Sequence, residues 1–327
     1  MSPARRSDTE ARPTVKIVVP DDFPTVLTGS AAERRLRKLG DVMVYTERGA
    51  DHEHELARRI GDAEIVLNIR AHARFSDSVV AACPRLRLIS VWGAGIDHVD
   101  LDACRARGIT VANTPGVNAH AVAEHTLALM LAVTRRIPSL DAEVRAGRWP
   151  RAMLVQLEGK ALGLIGLGAI GRRVATLAAP FGMRLLAFTH GADAGRAESV
   201  GARHVSLDIL LRESDIVSLH LRLSAETQGF LGRDRLALMK PTAFLVNTAR
   251  AGLVDRQALI DAMQHGRLAG AALDVFHEEP LPADDVLLSL PNVVLTPHNA
   301  GMTPEVVDAG LQRAVENIER FLGTDAR

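Results

Sequence analysis

The chain has 327 residues, 47% of them hydrophobic and 24% charged, with a formal net charge of zero. That length suits about two domains, and the balance is that of an ordinary globular protein without the clustered basic excess of a nucleic-acid binder. No apolar run approaches membrane-spanning length, and the two cysteines, Cys83 and Cys104, lack metal-ligand spacing and suit a reducing, cytoplasmic setting.

Residues 1–12 are polar and charged, with no apolar core for a secretory signal, and read as a disordered tail. Short apolar runs then alternate with helical patterns. VKIVV (15–19), VMVY (42–45), EIVLN (64–68), LRLISV (86–91) and ITVA (109–112) read as strands, with helices near 30–39, 52–61 and 76–82. A long apolar helix is expected over about 118–136, and a loop around Trp149. A second set of strands follows: 161–165, 184–188, 215–221, 243–247, 271–275 and 293–296, with helices at 255–265 and 304–322 among those between and after them. Repeated βα order implies an α/β fold with parallel sheets, and strands that are apolar throughout imply sheets covered on both faces.

The run LGLIGLGAIGRRVA (162–175) is the strongest local signal. A strand feeds Gly166-Leu167-Gly168-Ala169-Ile170-Gly171, and a helix follows. Gly166 suits a tight turn, Gly168 a close backbone approach to a pyrophosphate, and Gly171 close helix–strand packing. The first-turn N–H groups of the helix, at Ala169 and Ile170, lack internal partners and attract an anion. The pattern points to dinucleotide binding.

Six motifs in order extend this: VWGAGIDHVD (91–100), NTPGVNAHAVAEHTLALML (113–131), GLGAIG (166–171), VNTARAGLVD (246–255), LDVFHEEP (273–280) and TPHNAG (296–301). On these the chain resembles the D-isomer-specific 2-hydroxyacid dehydrogenases, which include phosphoglycerate dehydrogenase and glyoxylate/hydroxypyruvate reductase. The resemblance implies two Rossmann-like, doubly wound parallel-sheet domains. The cofactor domain (112–297) would be inserted into a discontinuous substrate domain (13–111 and 298–327). It also implies a homodimer through the cofactor domains, near the long helix and Trp149. The chain ends soon after its last helix, so serine feedback through an appended C-terminal domain is not expected.

The implied reaction is hydride transfer between NAD(P) and a small 2-keto/2-hydroxy acid. Arg250 suits the substrate carboxylate or keto oxygen, because a guanidinium is always charged and forked. His298 suits the proton, since imidazole exchanges one near neutral pH. Glu278 and Glu279 both stand near enough in sequence to partner it; the resemblance puts the catalytic carboxylate directly before the proline and selects Glu279. Such a partner fixes the tautomer and favours the charged imidazole. By resemblance, Gly93, Ala94 and Gly95 hold the substrate carboxylate, Asp274 meets the nicotinamide carboxamide, and Thr248 lies at the cofactor. Arg70 either faces the substrate or forms a surface ion pair. Asn113 and Thr114 are read as lining the cofactor cleft, and His120, His125 and His220 as packing residues. No metal site is expected.

The second strand of the glycine motif ends RLLAF, and Thr189-His190 follows where an NAD-specific site usually carries Asp or Glu. NAD and NADP therefore both remain open, with NAD favoured by the resemblance. Two other readings stay open: a phosphite-type dehydrogenase, and a dinucleotide-sensing binding protein like the corepressors that share this scaffold.

Overall fold

The computed structural model describes residues 14–69, 71–189 and 194–323. The tail expected at 1–12, Arg70 and His190 lie outside the described residues. The chain forms two compact units, one running to Val117 and resuming at Val307, the other Asn118–Val306. These limits lie beyond the sequence boundaries at 112 and 298. Asn113 and Thr114 bond back to the loop at 93–94, which keeps them in the first unit. Asn299 and Ala300 donate to Asp274, which keeps them in the second.

The first unit is built on five parallel strands: β1 (Lys16–Val19), β2 (Asp41–Val44), β3 (Ile65–Asn68), β4 (Leu88–Val91) and β5 (Thr110–Ala112), in the order β2-β1-β3-β4-β5. Alternate residues face opposite sides of a strand. Ile17, Val19, Ile65, Leu67 and Leu88 therefore join one core, together with Leu311, Ala314, Val315 and Ile318 of the helix Pro304–Leu322. Val18, Val66, Ile89 and Val91 join another, against the helices Glu53–Ile60 and Asp77–Ala81. Ser30, Ser76 and Asp100 cap the helices that follow them, each side chain accepting a first-turn N–H that the helix itself leaves free.

The second unit has seven parallel strands: β6 (Ala161–Ile165), β7 (Arg184–Phe188), β8 (Arg203–His204), β9 (Ile216–Leu219), β10 (Phe244–Asn247), β11 (Gly270–Leu273) and β12 (Val293–Leu295). Their order is β12-β11-β10-β9-β6-β7-β8, so the chain reverses direction of travel between β6 and β9. Both faces are again covered. Ile165, Val217, Leu219 and Leu245 pack on one side, while Leu162, Leu164, Ile216 and Val246 pack on the other with Met130 and Val133 of the helix Ala119–Thr134.

Several strands end earlier than their apolar runs. His220 falls just beyond β9 and Asp274 just beyond β11, which puts both at a strand end instead of inside the sheet. The two-residue β8 is too short to show as an apolar run. The long helix stops at Thr134, and a separate helix, Ile137–Arg145, follows Arg136 in the left-handed region.

The glycine turn between β6 and the helix Ala169–Ala178 has the shape expected of it. Gly166 has φ +100°, which side chains rarely adopt. A Cβ on Gly171 would lie 2.1 Å from the Gly166 carbonyl oxygen, whereas one on Gly168 would meet nothing within 4 Å. We therefore expect Gly171→Ala to cost about 1–3 kcal/mol of stability, because helix and turn must separate. Gly168→Ala should cost clearly less. Urea unfolding of the two variants checks this, and equal losses would contradict it.

Candidate active site

The chemistry-bearing residues of the second unit stand along one edge of its sheet. Across the strand order, His298 follows β12, Asp274 and Glu279 follow β11, Arg250 follows β10, His220 follows β9, Gly166 follows β6 and Thr189 follows β7. Ligands of open parallel sheets bind outside the carboxyl ends of the strands, where the strand order reverses. That reversal lies between the glycine turn and the Arg250–Glu279–His298 end.

Arg250 is held by the turn that carries it. Asn247, buried at the end of β10, accepts the Ala249 N–H (3.0 Å) and donates its amide to the Arg250 carbonyl (2.9 Å). Asparagine forms such turns because its side chain imitates a backbone peptide. Arg250 Nη1 donates to the Ala249 carbonyl at 2.8 Å. Thr248 turns its hydroxyl to Thr126 Oγ1 (2.8 Å), whose own proton goes to the Val122 carbonyl (2.7 Å). The Thr248 proton is thus spent inside the unit, and its lone pairs and backbone are what remain for a ligand.

His298 Nδ1 lies 2.7 Å from Glu279 Oε2, and Glu279 Oε1 accepts the Phe276 N–H at 2.9 Å. Burial pushes the Glu279 carboxyl up. The His298 hydrogen bond and charge, the Phe276 N–H and the Arg250 charge outweigh it and hold the carboxyl below its ordinary value. An ionised carboxylate only accepts, so Nδ1 carries the proton in this pair. Nε2 is the ring nitrogen left without a hydrogen-bond partner among the described residues. Glu278, the competing candidate, lines a neighbouring cavity of about 530 Å³ with Asn247, Leu273 and Phe276; Arg250, Glu279 and His298 take no part in that lining.

His298 has φ +51°, a conformation that costs a non-glycine residue about 1–2 kcal/mol. Asp274 supplies the restraint. Its wholly buried carboxylate accepts Thr296 Oγ1 (2.6 Å) and the N–H groups of Asn299 (3.1 Å) and Ala300 (3.0 Å), which bracket His298. His125 Nε2 stands 3.0 Å from Thr296 Oγ1 and 3.5 Å from Asp274 Oδ1. Burial pushes Asp274 up, but His125, Thr296 and the two backbone donors together hold it below the ordinary aspartate value. The carboxylate expected at a nicotinamide carboxamide is thus occupied in ordering the His298 loop, and any ligand amide has to share it. His125, for which the sequence suggests only packing, belongs to this network; no spacing in the sequence marks it. His220 does keep a packing role: burial pushes it down to about 4, and its Nε2 meets Ser218 Oγ at 3.0 Å.

The cofactor residues expected around the glycine turn fit a dinucleotide. Gly168 and Ala169 are exposed, Gly168 has open space in front of it, and the helix they begin has no side-chain cap. In the first unit, the loop 93–95 is braced from below. The Gly93 N–H is taken by Thr114 Oγ1 (2.8 Å), Asn113 donates to the Ala94 carbonyl (2.8 Å), and Asn317 donates to the Asn113 carbonyl (3.1 Å). Asn113 and Thr114, read as cleft-lining residues, are supports for this loop. The N–H groups of Ala94 and Gly95 make no bond among the described residues.

Residues 127–300 match the family model "D-isomer specific 2-hydroxyacid dehydrogenase, NAD binding domain". The chain belongs to the D-isomer specific 2-hydroxyacid dehydrogenases. It is 40% identical over 295 residues to a glyoxylate reductase of Aeropyrum pernix, covering 88% of each chain. It is 38% identical over 311 residues to a D-3-phosphoglycerate dehydrogenase of Methanocaldococcus jannaschii, covering 94% of this chain and 57% of that one. The chain thus spans little more than half the length of that relative. Among solved structures, an acyclic imino acid reductase in complex with NADPH and D-Arg is 30% identical, with a TM-score of 0.86 over 95% of this chain and 98% of that one. The family's NAD-binding domain accordingly lies within the second unit and runs from the long helix past the glycine turn to the His298 loop. No helix among the described residues is long and apolar enough to cross a membrane.

Because its folded pKa is depressed, Asp274 contributes stability that is complete above the ordinary aspartate value of about 3.9 and fades as pH falls through the lower folded value. We expect Asp274→Asn to cost about 1–3 kcal/mol at neutral pH, and the gap from the native chain to narrow below about pH 4. Urea unfolding at both pH values tests this; a gap independent of pH would contradict it.

Proposed function

We propose that this chain is an NAD(P)-dependent oxidoreductase that interconverts a D-2-hydroxyacid and its 2-keto acid. One observation carries the reading: the Glu279–His298 pair at 2.7 Å, with the Arg250 charge acting on Glu279, at the sheet edge that also bears the glycine turn. The glycine turn, with Gly166, Gly168, Ala169, Ile170 and Gly171, holds the pyrophosphate, and Thr189, His190, Thr248 and Asp274 complete the cofactor residues. A bound nicotinamide supplies the hydride for reduction or accepts it in oxidation.

Arg250 holds the substrate by its carboxylate or keto oxygen and stabilises negative charge as it gathers on that oxygen. His298 gives its Nε2 proton to the oxygen in reduction and takes it back in oxidation. With hydride to carbon and proton to oxygen, the two-electron reduction balances. Glu279 keeps the Nδ1 proton in place, so that Nε2 is the nitrogen that exchanges. The free N–H groups of Ala94 and Gly95, with Gly93 next to them and Arg70 from an earlier stretch of the chain, are assigned to the substrate carboxylate.

The partner is a second copy of the chain. Ile137, Val144, Trp149 and Met153 expose large apolar side chains within one short stretch, Trp149 to 78% and Met153 to 97%. Side chains of that kind clustered on a surface mark an association face. The cytoplasm is the proposed location, because both cysteines are buried free thiols.

A panel of 2-keto acids assayed with NADH and NADPH tests the activity. Arg250→Ala and His298→Ala should each lower kcat/KM by roughly 10²–10⁴-fold while the chain still folds, as circular dichroism would show. Near-native turnover in either variant would refute the assignment. Tight dinucleotide binding with no turnover on any acid would favour the sensor reading, and turnover of phosphite alone the phosphite dehydrogenase. Light scattering should give twice the 35.2 kDa chain mass, reverting toward one chain in Trp149→Glu; a native monomer would remove the dimer.

A further inference from the structure

Glu278, the glutamate that does not meet His298, lines a cavity that the reaction leaves unused. The segment that follows β11 and the start of the helix Arg256–Gln264 line a space of about 530 Å³. Small-molecule sites run from roughly 300 to 1,000 Å³.

The cavity has two chemically different parts. Its floor is apolar, with Val254, Leu259, Leu273, Val275 and Leu287 all buried. Asn247 is the one buried polar residue of the lining. Its amide is already engaged at both ends, by the Ala249 N–H and the Arg250 carbonyl. A polar group pushed down to that floor would lose its water and find no side chain to replace it, so the floor suits hydrocarbon.

The rim is acidic. Asp285 is matched: its Oδ2 accepts from Arg256 Nη2 at 2.7 Å and its Oδ1 from the Leu287 N–H at 2.9 Å. That pairing uses the guanidinium of Arg256, the sole arginine or lysine of the lining. Glu278 and Asp284 are exposed and make no hydrogen bond or ion pair among the described residues. Solvated carboxylates alone mark nothing. Above an apolar floor they form the polar half of a complementary surface. Their charge repels anions, so neither a 2-keto acid nor a dinucleotide suits this cavity. Arg250 and the glycine turn have the opposite preference.

We propose that this cavity is a second ligand site, for a small organic cation: a primary amine on an aryl or alkyl body. The ammonium, with three donors, sits between Glu278 and Asp284. The body lies on the valine and leucine floor. The site backs onto the groups that hold the reacting residues. Asn247 shapes the Arg250 turn, and the N–H of Phe276, another lining residue, holds Glu279. The inference does not depend on which reaction the chain catalyses.

Calorimetric titration of the native chain tests it. 2-Phenylethylamine and hexylamine should bind with dissociation constants below about 1 mM. The uncharged 2-phenylethanol and the anionic 3-phenylpropionate should each bind at least roughly tenfold more weakly than 2-phenylethylamine, because they lack the ammonium. Putrescine carries charge without an apolar end, and should also be weaker by roughly tenfold or more. Combining Glu278→Gln with Asp284→Asn should weaken 2-phenylethylamine by roughly tenfold. Leu281→Trp, which fills the cavity, should abolish its binding. Circular dichroism shows that each variant is folded.

The inference is overturned if neither amine binds below about 10 mM, or if the alcohol or the propionate binds as well as the amine. Putrescine binding as tightly as 2-phenylethylamine overturns it too, since charge alone would then suffice. So does unchanged amine affinity in the folded Glu278→Gln, Asp284→Asn chain, which would put the amine elsewhere. Should Leu281→Trp not fold, the two exposed carboxylates and the ligand series still decide.

Discussion

The buried carboxylate of Asp274 holds the reacting end of the second unit together. It stands one residue past β11 and collects donors from Thr296, Asn299 and Ala300, with His125 alongside. Those donors lie on either side of His298, which sits in a backbone conformation that an isolated histidine would rarely adopt. Burying a charge is costly unless it is fully hydrogen-bonded. Here the bonds that satisfy the charge are the same bonds that shape the loop. The geometry of His298 against Glu279 is a consequence of that arrangement.

The parallel sheet explains why so few residues are enough. Strands running one way deliver their carboxyl ends to one edge, so loops distant in sequence emerge side by side. Arg250, Glu279 and His298 leave three neighbouring strands, and the glycine turn and Thr189 leave two more. The edge is thus graded. Charged, proton-exchanging groups stand at one end, anion-attracting backbone in the middle, and a neutral buried hydroxyl at the other. An extended molecule with an anionic middle and chemically different ends suits such an edge.

Much of this was legible in the sequence. Continuous apolar runs gave the strands because both faces of each sheet are covered. The GLGAIG spacing gave the turn because only glycine tolerates the φ of Gly166 and the approach of Gly171 to the Gly166 oxygen. Glu279 was separable from Glu278 only through the resemblance, since adjacent glutamates look alike in sequence; in the structure it is Glu279 that meets His298 and Glu278 that lines the adjoining cavity. Strand ends were less legible. The apolar runs continue through His220 and Asp274, and hydrophobicity does not say where the hydrogen-bond ladder stops.

What the sequence determined by itself was the alternation of strands and helices, the glycine turn, and the identity of the groups able to exchange protons or hold anions. These depend on local sterics and on side-chain chemistry, both of which travel with the residue. Only the tertiary structure decided which hydroxyls were already engaged, as at Thr248 and Thr114, and which lack a partner among the described residues, at Thr189 and Ser214. It also decided that His125 serves the site, and that the units part at 118 and 307. Those outcomes turn on hydrogen bonds between residues far apart along the chain, and such a bond exists only once packing has brought donor and acceptor together.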